Sequence, residues 1–134
     1  MRFMLLQAYG GVELPGCKPM YEWDPEDVKA HIEFQHVLNA ELLERGELVD
    51  AQGLAGPDQA KVVISDGTQP ARIIDGPYPE SKELLAGYRL IDVESWERAL
   101  EIAARSSAAP GPGGVAIQQQ IEVREVLGAP EPEV

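Results

Sequence analysis

The chain has 134 residues, 44% of them hydrophobic, and its 23 acidic residues against 11 Lys and Arg give a formal net charge of −12. This length predicts a single domain, and the acidity argues against nucleic acid and anionic membrane surfaces, because both need clustered Lys and Arg. Cys17 is the single cysteine and no apolar run approaches the roughly 18 residues of a membrane span, so we expect a cytoplasmic protein.

The first part of the chain predicts a strand, a helix and a second strand. Residues 2–9 form a short apolar run, which indicates a buried strand. Residues 24–27, Asp-Pro-Glu-Asp, carry the N-cap acid, the Pro and the first-turn acids of a helix start. We expect that helix to run to Arg45, where Gly46 ends it, and a strand to follow over residues 47–54.

The central part predicts a β-hairpin and a further strand. Residues 61–65 are rich in β-branched side chains, and residues 71–74 form the return limb. Between them Asp66-Gly67 is a strong hairpin signal. Residues 84–91, with Gly87 inside them, predict the next strand.

The last part predicts a second helix, a loop and a final strand. We expect Asp92 to cap a helix that continues through Arg105. The apolar residues expected on its packed side are Trp96, Leu100 and Ala103 or Ala104. Residues 110–114 are all Pro and Gly and predict a flexible loop, and residues 115–126 contain apolar side chains at a period of two.

This element order predicts an α+β fold. The pattern β-α-β, hairpin, β-α-β suggests a ferredoxin-like sandwich, in which an antiparallel sheet carries two helices on one face. The other sheet face would be half apolar, and a second copy packed against it would make a homodimer with the two sheets face to face. We expect one domain over residues 1–127 and a flexible tail over residues 128–134.

The first helix holds both histidines of the chain. At about 100° per residue, His31 falls at the centre of an apolar stripe, whereas His36 points away with the charged residues. The stripe consists of Val28, Phe34, Leu38 and Leu42. Burial and the nearby helix N-terminus both favour a neutral imidazole at His31, which can act as general base or hydrogen-bond donor. A hydrogen-bonded core histidine without catalytic function is the other interpretation, and no His or Cys spacing predicts a metal site.

The segment 75–83, Asp-Gly-Pro-Tyr-Pro-Glu-Ser-Lys-Glu, is the most distinctive in the chain. Asp-Gly-Pro is good turn chemistry by itself. However, the segment also places acids, a Tyr and Lys82 between two predicted strands, where the sheet would hold them. Lys82 and Arg72 could bind a substrate carboxylate or phenolate, or they could be surface charges.

This run resembles the Asp-Gly-Pro-Phe signature of the YCII-related, or DGPF-domain, family, in which an acid, Ser or Thr, Lys and Glu follow. The resemblance covers roughly residues 2–126, and the sequence departs from the family pattern at Tyr78-Pro79 and around residues 108–114 and 118–120. The other matching segments are residues 3–6, 31–34, 46–54 and 87–93.

The resemblance implies a ferredoxin-like fold, a dimer of the α+β barrel kind, and a His31–Asp75 pair lining a cleft. Asp75 would orient His31, which would exchange a proton with a small cyclic or enol-like substrate. Around this pair, the substrate-binding residues that we expect from the sequence itself are Arg72, Pro77, Tyr78 and Lys82. The chain carries no Gly-rich cofactor motif in the required strand–helix context, so no cofactor is expected.

Two functions therefore stand at this point. One is a cofactor-independent acid–base enzyme of the lyase or isomerase type, in which His31 and Asp75 are catalytic. The alternative is a non-catalytic module that binds a small ligand or a regulatory protein partner. The resemblance suggests the latter role because family members are often encoded near alternative sigma factors. A structural dimer with an empty cleft is a third interpretation.

Overall fold

The computed structural model describes residues 1–9, 20–56, 59–76 and 84–129. Cys17 and the final residues of the predicted tail lie outside them. The elements are β1 (Arg2–Tyr9), α1 (Pro25–Glu44), β2 (Leu48–Gly53), β3 (Lys61–Ile64), β4 (Arg72–Asp75), β5 (Leu84–Asp92), α2 (Trp96–Ser107) and β6 (Ile121–Glu125). Short 3₁₀ turns occur at Met20–Glu22 and Pro112–Gly114. No helix in these ranges is both long and apolar enough to cross a bilayer.

Four of the strands form one antiparallel sheet in the order β2-β5-β1-β6, and β3 and β4 form a separate two-stranded sheet. With the β3–β4 hairpin set aside, the remaining elements follow each other as β-α-β-β-α-β, the ferredoxin-like order. The predicted α+β, ferredoxin-like fold is therefore confirmed. The four-stranded sheet is open, so the described strands of one chain close no barrel.

The hydrophobic core lies between the sheet and both helices. Alternate residues of a strand point to one face, and residues four apart on a helix lie on one side, so each element contributes one apolar row. The fully buried members are Phe3, Leu5, Leu38, Leu42, Ile91, Ala99 and Ile102. Because side chains of α1 and α2 meet the same strand face in one cluster, both helices pack on one side of the sheet, as predicted.

The first helix begins and ends where the sequence predicts. Asp24 is its extended N-cap residue and Pro25 its first helical residue, although no side-chain hydrogen bond closes the cap. The carbonyl of Asp24 accepts from the backbone N–H groups of Asp27 and Val28 instead. At the other end Gly46 has φ +72°, in the left-handed region that favours glycine and ends a helix.

The second helix begins later than predicted. Its N-cap is Ser95, whose Oγ accepts from the Arg98 backbone N–H at 3.2 Å. The predicted cap, Asp92, is instead the last residue of β5, where it pairs with Arg2 of β1 and lies 3.4 Å from the terminal ammonium. The pairing of β5 with β1 thus keeps Asp92 in the strand. The helix is capped instead by Ser95, the next residue whose side chain is a preferred N-cap.

The packed side of α2 agrees with the prediction at Ala103, which is buried, and differs from it at Trp96 and Leu100. Trp96 and Leu100 are about half exposed. The buried residues of α2 are Ala99, Ile102, Ala103 and Ser106. Three of these four side chains are small, and the partly exposed Trp96 ring still contacts Phe3 edge-on, with ring centroids 4.7 Å apart.

The Pro-Gly segment predicted as a flexible loop is held in place. Pro110 and Ala116 form an isolated antiparallel bridge, and the N–H of Gly111 donates to the Val115 carbonyl at 2.8 Å. Gly111 itself is buried. The final strand, Ile121–Glu125, is correspondingly shorter than the predicted range of residues 115–126. The ordered segment positions the Pro110 carbonyl against α1.

Candidate functional site

His31 faces the interior from α1, as the sequence predicts, and is 9% exposed, whereas His36 is exposed. Its Nδ1 lies 3.0 Å from the carbonyl oxygen of Pro110, and its Nε2 lies 3.4 Å from Nε2 of Gln35. The Trp23 ring packs edge-on against the imidazole, with ring centroids 5.6 Å apart. The ring is therefore fixed on three sides.

The carbonyl of Pro110 determines which nitrogen of His31 carries the proton. A carbonyl oxygen only accepts hydrogen bonds, so Nδ1 must donate to it. In the neutral ring Nε2 then holds the lone pair, and this is the atom that can take a proton from another molecule. The position of the proton on Nδ1 thus follows from the hydrogen-bond partners of the ring.

A buried arginine lies at the centre of the polar contacts around His31. Arg89 of β5 is 2% exposed. Its Nε donates to Oδ1 of Asn39 at 2.8 Å, Nη1 to Oγ of Ser106 at 2.8 Å, and Nη2 to Oε1 of Gln35. Gln7 of β1 donates to the same Ser106 hydroxyl at 3.1 Å. The guanidinium thus links the sheet to α1 and α2.

In the described part of the chain, the acceptors of the Arg89 guanidinium are neutral groups. No ion pair between described residues includes it, and its acceptors are two side-chain amides and a hydroxyl. Burial lowers the pKa of Arg89 to about 10, so the guanidinium stays protonated at neutral pH. Because a buried charge is costly unless its hydrogen bonds are satisfied, these three acceptors are essential to the arrangement.

Arg89 and its acceptors are not among the site residues predicted from the sequence. The signal for two of them is spacing: His31, Gln35 and Asn39 are four residues apart, so they form a polar ridge beside the apolar stripe of α1. For Arg89 the signal is the period of two in β5, which aligns it with the buried Ile91. An inward-facing Arg in such a strand is unusual and points to a polar site.

Asp75 occupies a different environment from His31. It is the last residue of β4, its side chain is 86% exposed, and its Oδ1 lies 2.6 Å from Nζ of Lys61 on β3. No hydrogen bond or ion pair joins Asp75 to His31, and both of these residues are described. Pro110 therefore has the orienting position at Nδ1, and a catalytic role for Asp75 stays a prediction.

The structure places one of the four predicted substrate-binding residues. Arg72 is exposed at the start of β4, opposite Ile64 of β3. Pro77, Tyr78 and Lys82 lie outside the described residues, so their roles stay predictions. Within the described ranges no three His, Cys, Asp or Glu side chains are grouped so that they could hold a metal ion.

Comparison with known proteins adds one match. A family model described as the YCII-related domain matches residues 1–127. No curated protein matches the chain. The matched range includes β1, α1 and β5, and therefore His31, Gln35 and Arg89 as well as the Asp75 turn.

Proposed function

This chain belongs to the YCII-related family, and from that premise we propose that it is a cofactor-independent acid–base enzyme of the lyase or isomerase type. Its substrate is a small cyclic or enol-like molecule, and His31 is the residue that transfers the proton. One observation carries the proposal: a buried imidazole donates through Nδ1 to a backbone carbonyl and so keeps its lone pair on Nε2.

The chemistry needs no group beyond the side chains of this chain. A positioned general acid or base contributes about 10²–10⁴-fold to a reaction rate. His31 takes a proton from the substrate at Nε2 and returns it at a neighbouring atom or to a leaving group. The Pro110 carbonyl stabilises one tautomer of the ring, as a carboxylate does in other acid–base pairs.

The residues of the Asp75 turn complete the proposed site. Asp75 supplies a second acid–base group at the exposed end of β4. Arg72 and Lys82 provide positive charge for a carboxylate or phenolate of the substrate. Pro77 and Tyr78 supply apolar and aromatic contact surface between them. What supports this grouping is the family signature, which runs through residues 75–83 of the sequence, and Arg72 lies three residues before it on the same strand as Asp75.

Replacing His31 by Ala is expected to abolish proton transfer, with a loss of at least about 100-fold. The measurement is exchange of substrate protons for deuterium, followed by ¹H NMR in D₂O over a panel of small lactones and enolisable keto acids. His36→Ala is the matched control, because His36 is exposed on the same helix and should retain the exchange rate of the unmodified protein. Circular dichroism verifies that both variants fold.

The alternative is a non-catalytic module that binds a small ligand or a protein partner connected with sigma-factor regulation. It predicts that no panel compound exchanges protons above the uncatalysed rate. Unchanged exchange in both His31→Ala and Asp75→Asn would likewise exclude the acid–base mechanism. Binding of a panel compound without turnover, measured by calorimetry, would favour the module.

We also propose that the protein is a homodimer. Met4 and Leu6 of β1 and Leu90 of β5 alternate with the core residues, so they lie on the sheet face opposite α1 and α2. A second copy packed face to face would cover this apolar surface. Light scattering at micromolar concentration should give the mass of a dimer, and Leu6→Glu should shift it to a monomer. A stable monomer in the unmodified protein would contradict the proposal.

A further inference from the structure

We infer that Gln35 and Arg89 are positioning residues for His31: the guanidinium orients the Gln35 amide, and that amide holds Nε2 of His31 as a hydrogen-bond acceptor. The assignment of the tautomer depends only on the contacts of these side chains. The consequence of this tautomer for catalysis rests on the proposed function.

Arg89 fixes the orientation of the Gln35 side-chain amide. An arginine side chain has N–H donors and no acceptor, so the Gln35 atom that Nη2 of Arg89 contacts must be the amide oxygen. The reversed amide would place an NH₂ group against the guanidinium and leave both without an acceptor. In a buried site that loss costs about 1–3 kcal/mol, or more for a charged group. Arg89 therefore determines which end of the amide faces His31.

The oriented amide in turn determines which nitrogen of the His31 imidazole carries the proton. With Oε1 engaged by Arg89, the group that Gln35 presents to His31 is its NH₂, and Nε2 of the ring lies 3.4 Å from that nitrogen. An NH₂ group donates, so Nε2 must accept. The Pro110 carbonyl at 3.0 Å from Nδ1 requires the proton on that nitrogen. Two contacts from different parts of the chain thus specify the same Nδ1–H tautomer.

Nε2 of His31 is held only loosely by Gln35. The 3.4 Å contact with Gln35 is long for a hydrogen bond, whose usual length is about 2.9–3.0 Å. This weak contact orients the lone pair of Nε2. A proton of the substrate can therefore displace the Gln35 N–H as the hydrogen-bond partner of Nε2. After transfer the new Nε2–H finds no acceptor in the Gln35 NH₂ group, and the proton can pass back to the substrate.

Among the residues that the structure describes, no acid accepts a hydrogen bond from Arg89, which fits this role. A carboxylate at position 35 would still accept from Arg89, but its other oxygen would accept from His31 and place a proton on Nε2. A neutral amide leaves Nε2 of His31 unprotonated while it satisfies the guanidinium. The group between Arg89 and His31 must therefore accept a hydrogen bond from the guanidinium and donate one to the imidazole. The Gln side chain does both.

Long-range ¹H–¹⁵N NMR of the imidazole nitrogens tests the inference. In the unmodified protein at neutral pH, His31 should show a protonated, pyrrole-type Nδ1 and an unprotonated, pyridine-type Nε2. His36 is the internal control. Its ring is exposed to solvent, so its two tautomers should interconvert and give averaged signals for both nitrogens. In Gln35→Glu the pyridine-type Nε2 signal should be lost and both nitrogens should become pyrrole-type.

A second variant isolates the contribution of Arg89. Arg89→Lys keeps the positive charge but removes the forked donors, so the Gln35 amide is no longer oriented and the Nε2 signal should move from its position in the unmodified protein. The inference is overturned if His31 carries its proton on Nε2. It is also overturned if both variants, shown to be folded by their amide spectra, leave the His31 signals unchanged. These signals do not depend on a substrate, so failure of the exchange assay alone contradicts the proposed function and not this inference.

Discussion

Leu42→Ala should lower the free energy of unfolding by about 2–5 kcal/mol. Leu42 has no solvent exposure and contributes to the core cluster that joins the last turns of α1 to the sheet. Without this side chain, the protein buries less apolar surface on folding. The truncation also leaves a cavity that the rigid surroundings fill only in part. Urea denaturation followed by circular dichroism, at one fixed protein concentration, measures the change.

Leu43→Ala is the control for that experiment. Leu43 is the next residue on the same helix and is 66% exposed. Leu43→Ala removes the same atoms as Leu42→Ala and changes the helix propensity by the same amount. Because Leu43 is exposed, the free energy of unfolding should stay within about 0.5 kcal/mol of that of the unmodified protein. Equal losses in the two variants would show that α1 does not pack on the sheet as described.

Gly87→Ala should lower the free energy of unfolding by about 1–3 kcal/mol. A Cβ at this position would lie 2.7 Å from the backbone carbonyl oxygen of Gln52 on the neighbouring strand β2. A backbone atom of a paired strand cannot turn aside as a side chain can, so the β2–β5 ladder must shift. Thermal and urea unfolding of the variant should both show the loss.

The cross-strand partner of Gly87 supplies the comparison. Gly53 is paired with Gly87 in the β2–β5 register, but a Cβ at Gly53 would meet no atom within 4 Å. Gly53→Ala should therefore be neutral, or slightly stabilising because alanine loses less backbone entropy on folding. A Gly53→Ala variant as unstable as Gly87→Ala would mean that the close approach at Gln52 is not the cause.

The parts of the fold that follow from local signals could be predicted from the sequence. The Asp-Pro start and the Gly46 stop of α1 act within a few residues of the helix end, and the structure has the helix between them. Asp66-Gly67 likewise lies in the loop of residues 65–71 that joins the two strands of the hairpin. Where two signals compete, the outcome depends on tertiary contacts. Asp92 and Ser95 both have capping side chains, and the pairing of β5 with β1 decides between them.

The candidate site could be predicted only in part. The period of α1 places His31 inward, because that position is set by the helix itself. The partner of its Nδ1 is a backbone carbonyl 79 residues away, and a main-chain group leaves no trace in the side-chain pattern. The role of Gln35 depends on a hydrogen bond from Arg89, which lies 54 positions later in the chain. Neither contact has a local sequence signal.

The order of strands in the sheet has a consequence for biosynthesis. β1 is a central strand, yet the strands that flank it, β5 and β6, are both made much later. Leu84 follows Tyr9 by roughly 75 positions, which takes a ribosome about 4–15 s at ~5–20 residues per second. During that time Phe3 and Leu5 have no sheet to enter, whereas α1 and the β3–β4 hairpin can form from neighbouring residues. The newly made chain thus carries an unpaired apolar strand that a chaperone can bind, and the sheet closes late.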